Sequence, residues 1–227
     1  ISDFFINDSE LLRILGTDYT GNEELKRVNM GAIKNRFIEA DTFSSSLMIN
    51  AIYTKQGDIF NFYTGIRPRD FYDPLPQSAM DTIRALDVDN PEKLAMLIWY
   101  PPQDNIFQPA PTGNPRQDTI ILGSRRTYHL YLGYYLNTHL FVLPEQTLYD
   151  RYSNYILEDG LTIYILNQDG GLLSGSDIDS LQSKKVDPAL LAITTQAEMQ
   201  PEREIRIGNT AQLASFAHTE SGGWTVL

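Results

Sequence analysis

Few of this chain's reactive side chains stand at spacings that chemistry can use. Its histidines are His129, His139 and His218. No His-Glu-x-x-His is present, and His129 and His139 fall on separate predicted strands, so convergence on a metal ion is not expected. Cysteine is absent, which removes thiolate nucleophiles, Cys-ligated metals and disulfides together. Neither a Gly-x-Ser-x-Gly elbow nor a Walker phosphate loop occurs. Asp177-Ile178-Asp179 begins like a calcium loop, but Gln182 stands where the glycine belongs and no glutamate closes the loop. Asp87-Val88-Asp89-Asn90 reads as a helix cap. The acids are scattered and give no acid/base pair of the glycosidase kind. No cofactor is expected, and no catalytic residue.

The aromatic residues say more. Tyrosine numbers 13 against 10 Phe and 2 Trp. Tyr128, Tyr131, Tyr134 and Tyr135 crowd a predicted strand pair beside Arg125 and Arg126. A phenol ring offers a flat apolar face with a polar tip, and a guanidinium offers a charged fork. Together they suit a pocket that stacks and hydrogen-bonds a polar small molecule. The plainer reading of any single one is an amphipathic strand whose Tyr tips reach water. Trp99-Tyr100 precedes a Pro-rich loop, where a pocket lip would lie. The expected lining residues are Tyr53, Tyr63, Trp99, Tyr100, Arg126 and Tyr128. Strand alternation sends Arg125 and Arg126 to opposite faces.

The elements that must position these residues follow from periodicity and punctuation. Leu25, Val28, Ala32, Ile33 and Phe37 repeat at helical spacing, with Asn22 as N-cap and Glu23 and Glu24 in the first turn. Phe4, Phe5, Leu11, Leu12 and Leu15 give an upstream apolar face, and the expectation is one long N-terminal helix, kinked or interrupted near residues 16–21. The period then changes to two. Residues 47–53 and 59–63 read as a hairpin turning at Gln56-Gly57-Asp58. Short helices are predicted over 78–86 and 90–97. Pro101, Pro102, Pro109, Pro111 and Pro115 are expected to exclude regular structure up to about residue 118. Strands are predicted over 119–122, 125–131 and 134–143, then a helix from Glu145 to about Leu157. Leu161–Leu166 and Leu172–Ser174 form a second hairpin around Gln168-Asp169-Gly170-Gly171. Helices at 177–182 and from Pro188 to about Gln200 precede strands at 204–207, 212–218 and 224–227. A hairpin–helices–strands unit thus occurs twice, which argues an α+β fold with antiparallel sheets.

Composition narrows the function classes. Hydrophobic residues are 42% and charged residues 21% of the 227, enough for a packed core. Lys plus Arg is 18 and Asp plus Glu is 29, a net charge of −11. Such a surface repels phosphate backbones and anionic headgroups, so no nucleic-acid partner is expected. No apolar run approaches the ~20 residues of a membrane helix. The chain opens at Ile1-Ser2-Asp3 without a Met and ends in an apolar strand, and is expected to be a piece of a longer protein.

The double unit resembles the double Cache sensor domain, in which two PAS-like lobes hang from a long N-terminal helix. Ile49-Asn50-Ala51-Ile52-Tyr53-Thr54-Lys55-Gln56-Gly57-Asp58-Ile59 is similar to the first hairpin of the outer lobe. Leu161-Thr162-Ile163-Tyr164-Ile165-Leu166-Asn167-Gln168-Asp169-Gly170-Gly171 is similar to the inner-lobe hairpin. Ser221-Gly222-Gly223-Trp224-Thr225-Val226-Leu227 resembles the strand that precedes the second membrane helix. The resemblance implies a stalk at 1–43, a membrane-distal lobe at 44–144, a connecting helix at 145–159 and a membrane-proximal lobe at 160–227. It implies the extracellular, ligand-sensing region of a bacterial membrane receptor, as in sensor histidine kinases. The same sensor occurs in chemoreceptors and cyclic-nucleotide enzymes; the other alternative is a free solute-binding protein, which would show two α/β lobes rather than hairpin pairs behind a long N-terminal helix. The fragment would do no chemistry, bind an unknown small molecule and dimerise in the intact receptor, meeting the membrane only through helices outside the fragment. Ile1 and Leu227 would lie at one end. The pocket is expected between the outer sheet and the connection over 66–117. One departure matters: amino-acid-binding members carry Arg two residues before the Trp-Tyr pair and Ala three after its Tyr, where this chain has Leu97 and Gln103. Amino-acid binding is therefore not carried over.

Overall fold

The structure is a computed structural model that describes residues 9–39, 49–54, 57, 59–63, 77–86, 97–106, 111–129, 134–156, 160–195, 202–207, 210–219 and 223–227. Its class is α+β, with antiparallel pairing in the two hairpins and where the closing strands join them. The N-terminal stretch is interrupted within the expected residues 16–21, and its described part is two helices, α1 over Ser9–Leu15 and α2 over Glu23–Glu39. The break has local causes. Thr17 Oγ1 donates to the Arg13 carbonyl at 2.8 Å, and Gly16 N donates to Leu12 O at 3.0 Å, closing the last turn of α1. Gly21 sits at φ 72°, a left-handed conformation that costs glycine little. Asn22 Oδ1 then accepts the Leu25 N–H at 3.1 Å and starts α2 as an N-cap.

Both helices close on one core. Leu11, Ile14, Leu15, Tyr19 and Ile33 pack with Ile52 and Phe60. Tyr19, in the turn between the helices, is 1% exposed. Its hydroxyl donates to Ile14 O at 2.7 Å and accepts from Asn29 Nδ2 at 2.9 Å. Its ring meets Phe60 edge-on at 5.7 Å. Burying each such side chain contributes about 1.5–3 kcal/mol, so this cluster holds the helices to the strands.

The first sheet comprises β1 (Ile49–Thr54), β2 (Ile59–Tyr63), β3 (Leu97–Asp104), β4 (Thr119–His129) and β5 (Tyr134–Pro144), in the order β2-β1-β5-β4-β3. Helix α3, Gln77–Leu86, lies between β2 and β3 in the chain. The two strands predicted over 119–131 are one continuous β4 among the described residues. β3 corrects an expectation, because Pro101 and Pro102 lie within a strand. That strand is at the sheet's edge, where only one side has a ladder partner and missing N–H donors are tolerated. Residues 90–96 of the predicted helix lie outside the described residues, and Leu97 opens β3.

The second half runs α4 (Glu145–Tyr152), a 3-10 turn (Ser153–Tyr155), β6 (Tyr164–Leu166), β7 (Leu172–Gly175), α5 (Ile178–Ser183), α6 (Pro188–Thr195), β8 (Glu202–Ile207), β9 (Thr210–Ser215), β10 (Ala217–His218) and β11 (Thr225–Val226). One sheet has the order β10-β11-β6-β7, and β8 and β9 form a separate pair. The turn between β6 and β7 is built by Asn167, whose Oδ1 accepts Asp169 N at 3.0 Å and Gly171 N at 2.7 Å. Asp177, the start of the failed calcium motif, is the N-cap of α5 and accepts the Asp179 and Ser180 N–H groups. Ile165, Leu166, Leu172, Leu173 and Leu181 are buried.

The chain divides into two compact units. One comprises Ile1–Leu97, Ile106–Pro109 and Gly123–Leu143; the other comprises Ile98–Asn105, Ala110–Leu122 and Pro144–Leu227. Each hairpin is completed in the same way. β1 lies between its hairpin mate β2 and the later strand β5, and β6 lies between β7 and the final strand β11. Among the described residues no helix is long and apolar enough to cross a membrane.

Candidate functional site

Register assigns the faces of the first hairpin. Ile52 stands opposite both Phe60 and His139, and directly opposed residues share a face. Ile52 and Phe60 belong to the helix-packed core, so His139 lies on the helix side of β5. Tyr53 stands opposite Thr138, and Ala51 opposite Leu140, on the other face. There Ala51, Thr138 and Leu140 are at most 1% exposed. This part of the sheet is therefore covered on both faces, and Tyr53, half-buried, lies on the side away from α1 and α2.

The expected lining residues divide between the units. Tyr53 on β1, Tyr63 at the end of β2, and Arg126 and Tyr128 on β4 belong to the first unit; Trp99 and Tyr100 on β3 belong to the second. Arg126 is half-buried; the side chains of Tyr63 and Tyr128 lie outside the described residues. Trp99 is 8% exposed, and its ring meets Trp224 at 5.1 Å and 65°. Its carbonyl accepts from Asn167 Nδ2 at 2.8 Å. It is bound into the second unit by ring packing and by the β6–β7 turn. Tyr100 beside it is half-buried. Of the 66–117 connection, residues 66–76, 87–96 and 107–110 lie outside the described residues, as does Ile1.

The densest polar geometry lies elsewhere in the second unit, on residues the sequence did not single out. Glu145, the first residue of α4, is fully buried. Arg116 Nη1 reaches its two carboxylate oxygens at 2.7 and 2.8 Å. Arg116 Nη2 donates to Ser176 O at 3.0 Å, and the guanidinium lies 3.8 Å from the centre of the Tyr149 ring. Ser174 Oγ donates to Glu145 Oε1, so its single hydrogen is used. Tyr152 OH, 2.7 Å from Ser174 Oγ, is then the donor of that pair. Burial pushes the Glu145 carboxyl above its ordinary value, against the pull of Ser174, Arg116 and the Gly175 N–H. Burial likewise pushes Tyr152 up to about 12. No spacing signal pairs Arg116 with Glu145, which are 29 residues apart. The one local hint is an acid directly after Pro144, at a helix start.

Asp118 organises the loop before β4. Its carboxylate accepts Thr112 N at 2.6 Å, Thr112 Oγ1 at 2.8 Å and Gly113 N at 3.0 Å. These bonds, the Thr112 N–H foremost, hold its carboxyl below the usual range. His139 is fully buried, and burial, with the Arg125 charge adding to it, holds its pKa down to about 3. Among the described residues no cluster of His, Asp and Glu could hold a metal ion.

No protein-family model matches the chain, and no curated protein matches it. Among solved structures the chain is similar to the sensory domain of the Campylobacter jejuni chemoreceptor Tlp3, at 13% identity and a TM-score of 0.49, over 99% of this chain and 83% of that one. It is similar to the ligand-binding domain of the Pseudomonas aeruginosa PAO1 amino acid chemoreceptor PctB in complex with L-arginine, at 15% identity and a TM-score of 0.48, over 94% and 83%. It is also similar to the ligand-binding domain of the Pseudomonas fluorescens chemoreceptor CtaA in complex with L-isoleucine, at 15% identity and a TM-score of 0.46, over 96% and 80%.

Proposed function

We propose that this chain is a double Cache sensor, the extracytoplasmic ligand-sensing region of a bacterial membrane receptor. The observation that carries the reading is the repeated topology: two antiparallel sheets, each opened by a hairpin and completed by a later strand pairing beside the hairpin's first strand. The domain does no chemistry. It converts occupancy of a pocket into a shift between two conformations, and a ligand can do this only through its differential affinity for them. The output we propose is a histidine kinase acting in the cell; the same sensor would serve a chemoreceptor, and the residues that follow Leu227 decide between them. The intact receptor is a homodimer, and its membrane helices lie outside residues 1–227.

The pocket lies against the first sheet, on the face that carries Tyr53, with Tyr63, Arg126 and Tyr128 from the same unit. Trp99 and Tyr100, the other two residues expected to line a pocket, belong to the second unit, where Trp99 packs on Trp224. Arg126 takes an anionic or polar group of the ligand. A thermal-shift screen of polar metabolites tests this. A ligand at a hundred times its Kd stabilises the folded state by ~2.7 kcal/mol, which raises the melting temperature of a domain this size by roughly 5–10 °C. Arg126→Ala removes a charged hydrogen bond worth about 1.5–3 kcal/mol, a ten- to hundredfold loss of affinity, with the free domain's melting temperature little changed. Loss of binding in Arg125→Ala but not in Arg126→Ala would reverse the strand face; no loss in either would remove the pocket from this sheet.

A further inference from the structure

We propose that Arg116 and Glu145 form a positioning clamp, which sets where the start of β4 and the start of α4 sit on strand β7, and is not there only to stabilise the second unit. Three observations converge on this. The pair stands where two neighbouring strands of the first sheet begin and end: Arg116 is three residues before Thr119, which opens β4, and Glu145 directly follows Pro144, which closes β5. The pair then fastens both places to β7 and the turn after it, through Ser174 Oγ on Glu145 and Arg116 Nη2 on Ser176 O. Finally, the backbone joins in. Helix α4 has no side-chain N-cap; its Gln146 N–H donates instead to the Arg116 carbonyl at 3.1 Å. Asn114 Nδ2 reaches Gln146 Oε1 at 3.2 Å and Asn114 Oδ1 accepts Arg116 N at 3.0 Å. One residue thus fixes the helix start by its main chain and the strand contact by its side chain.

The energetics favour a positioning role. Taking two charges out of water offsets most of their attraction, so a buried ion pair stabilises no more than apolar side chains of the same volume. A guanidinium does add direction. Its planar fork is divided here, Nη1 on both Glu145 oxygens and Nη2 on Ser176 O, so one rigid plane ties the two partners together in fixed directions, and the Tyr149 ring stacks on its face. Under the sensing reading, on which this part of its role rests, the clamp is where a movement at the start of β4 and the end of β5 is passed to β7. The clamp itself is tested without a ligand, so its failure would leave the sensing reading standing.

The absence of cysteine makes the test direct. Spin labels at Gln117→Cys and Asp179→Cys, both exposed positions in the second unit, report the separation between the 112–118 loop and helix α5 by pulsed electron resonance. The labelled parent should give one narrow distance distribution. In the apolar double variant Arg116→Met/Glu145→Met, the expected result is a melting temperature within a few degrees of the parent together with a broadened or displaced distribution. A folded double variant with the parent's narrow distribution would overturn the proposal, because the pair would then be replaceable by packing alone. Should the double variant fail to fold, Arg116→Lys decides: it keeps the charge and loses the fork. Broadening supports the clamp; the parent's distribution overturns it.

Discussion

His139 and Glu145 are both buried and ionisable, and they tilt the stability of the fold in opposite directions as pH changes. His139 titrates near 3 in the folded chain against an ordinary 6.5. The unfolded chain therefore takes up its proton first on acidification, and stability falls by about 1.4 kcal/mol per pH unit between about 6.5 and 3. Glu145 is shifted upward from 4.5. The folded chain holds that proton more tightly, so the stability it contributes is present below 4.5 and is lost as pH rises through the folded value. Urea unfolding across pH 4 to 7 should show His139→Leu removing the acid-side loss and Glu145→Gln steepening it; identical profiles in all three proteins would refute the assignment. Arg116→Met leaves the carboxylate buried without its charged partner and should destabilise by about 3–5 kcal/mol at pH 7, and by less as pH falls and Glu145, whose carboxyl burial already pushes upward, takes a proton. Lys184, exposed at the end of α5, is the described non-glycine residue at positive φ, 56°. Lys184→Gly should stabilise by about 1 kcal/mol, because only glycine adopts that conformation without strain; a lower melting temperature would contradict this.

At the scale of elements, the sequence was most legible where a turn residue and a period agreed. Gly57 between alternating runs placed β1 and β2, and Asn167 to Gly171 placed β6 and β7, because the turns demand those residues and the strands need period two. Legibility failed where a local bond outvoted the pattern. Ile14, Leu15 and Ile33 share one core while Leu25 and Val28 stand exposed, so the apolar period overstated the face that α2 buries, and the break itself is set by Thr17 and Gly16, which close α1, and Asn22, which starts α2 afresh. Pro101 and Pro102 argued against a strand, but an edge position is a property of the whole sheet and invisible in a seven-residue window. The turn that joins α1 to α2 depends on Tyr19. Tyr19→Phe keeps the ring on Phe60 but deprives Ile14 O and Asn29 Nδ2 of their partner, and should cost about 1–3 kcal/mol. Leu15→Ala in the same core should cost about 2–5 kcal/mol. A Tyr19→Phe variant as stable as the parent in urea would mean that ring packing alone holds the two helices together.

At the scale of the whole molecule, the doubled hairpin–helices–strands order was readable because each unit repeats the same succession of periods. The Arg116–Glu145 pair was not, since a 29-residue separation carries no periodic signal and only the folded chain brings the two side chains together. Charge is the other property that belongs to the whole chain. With 29 acids against 18 bases the net charge is −11 and the isoelectric point about 4.6. At neutral pH the protomers repel one another and any polyanion, and this self-repulsion fades as pH falls toward the isoelectric point. The domain should therefore pass unretained through immobilised heparin at ~0.15 M salt, where the Debye length is ~8 Å, and should not sediment with anionic vesicles. Its solubility should reach a minimum near pH 4.6, with light scattering rising as protein concentration rises. Retention on heparin at neutral pH would reveal a basic patch dense enough to override the net charge, and with it a polyanionic partner that the composition argues against.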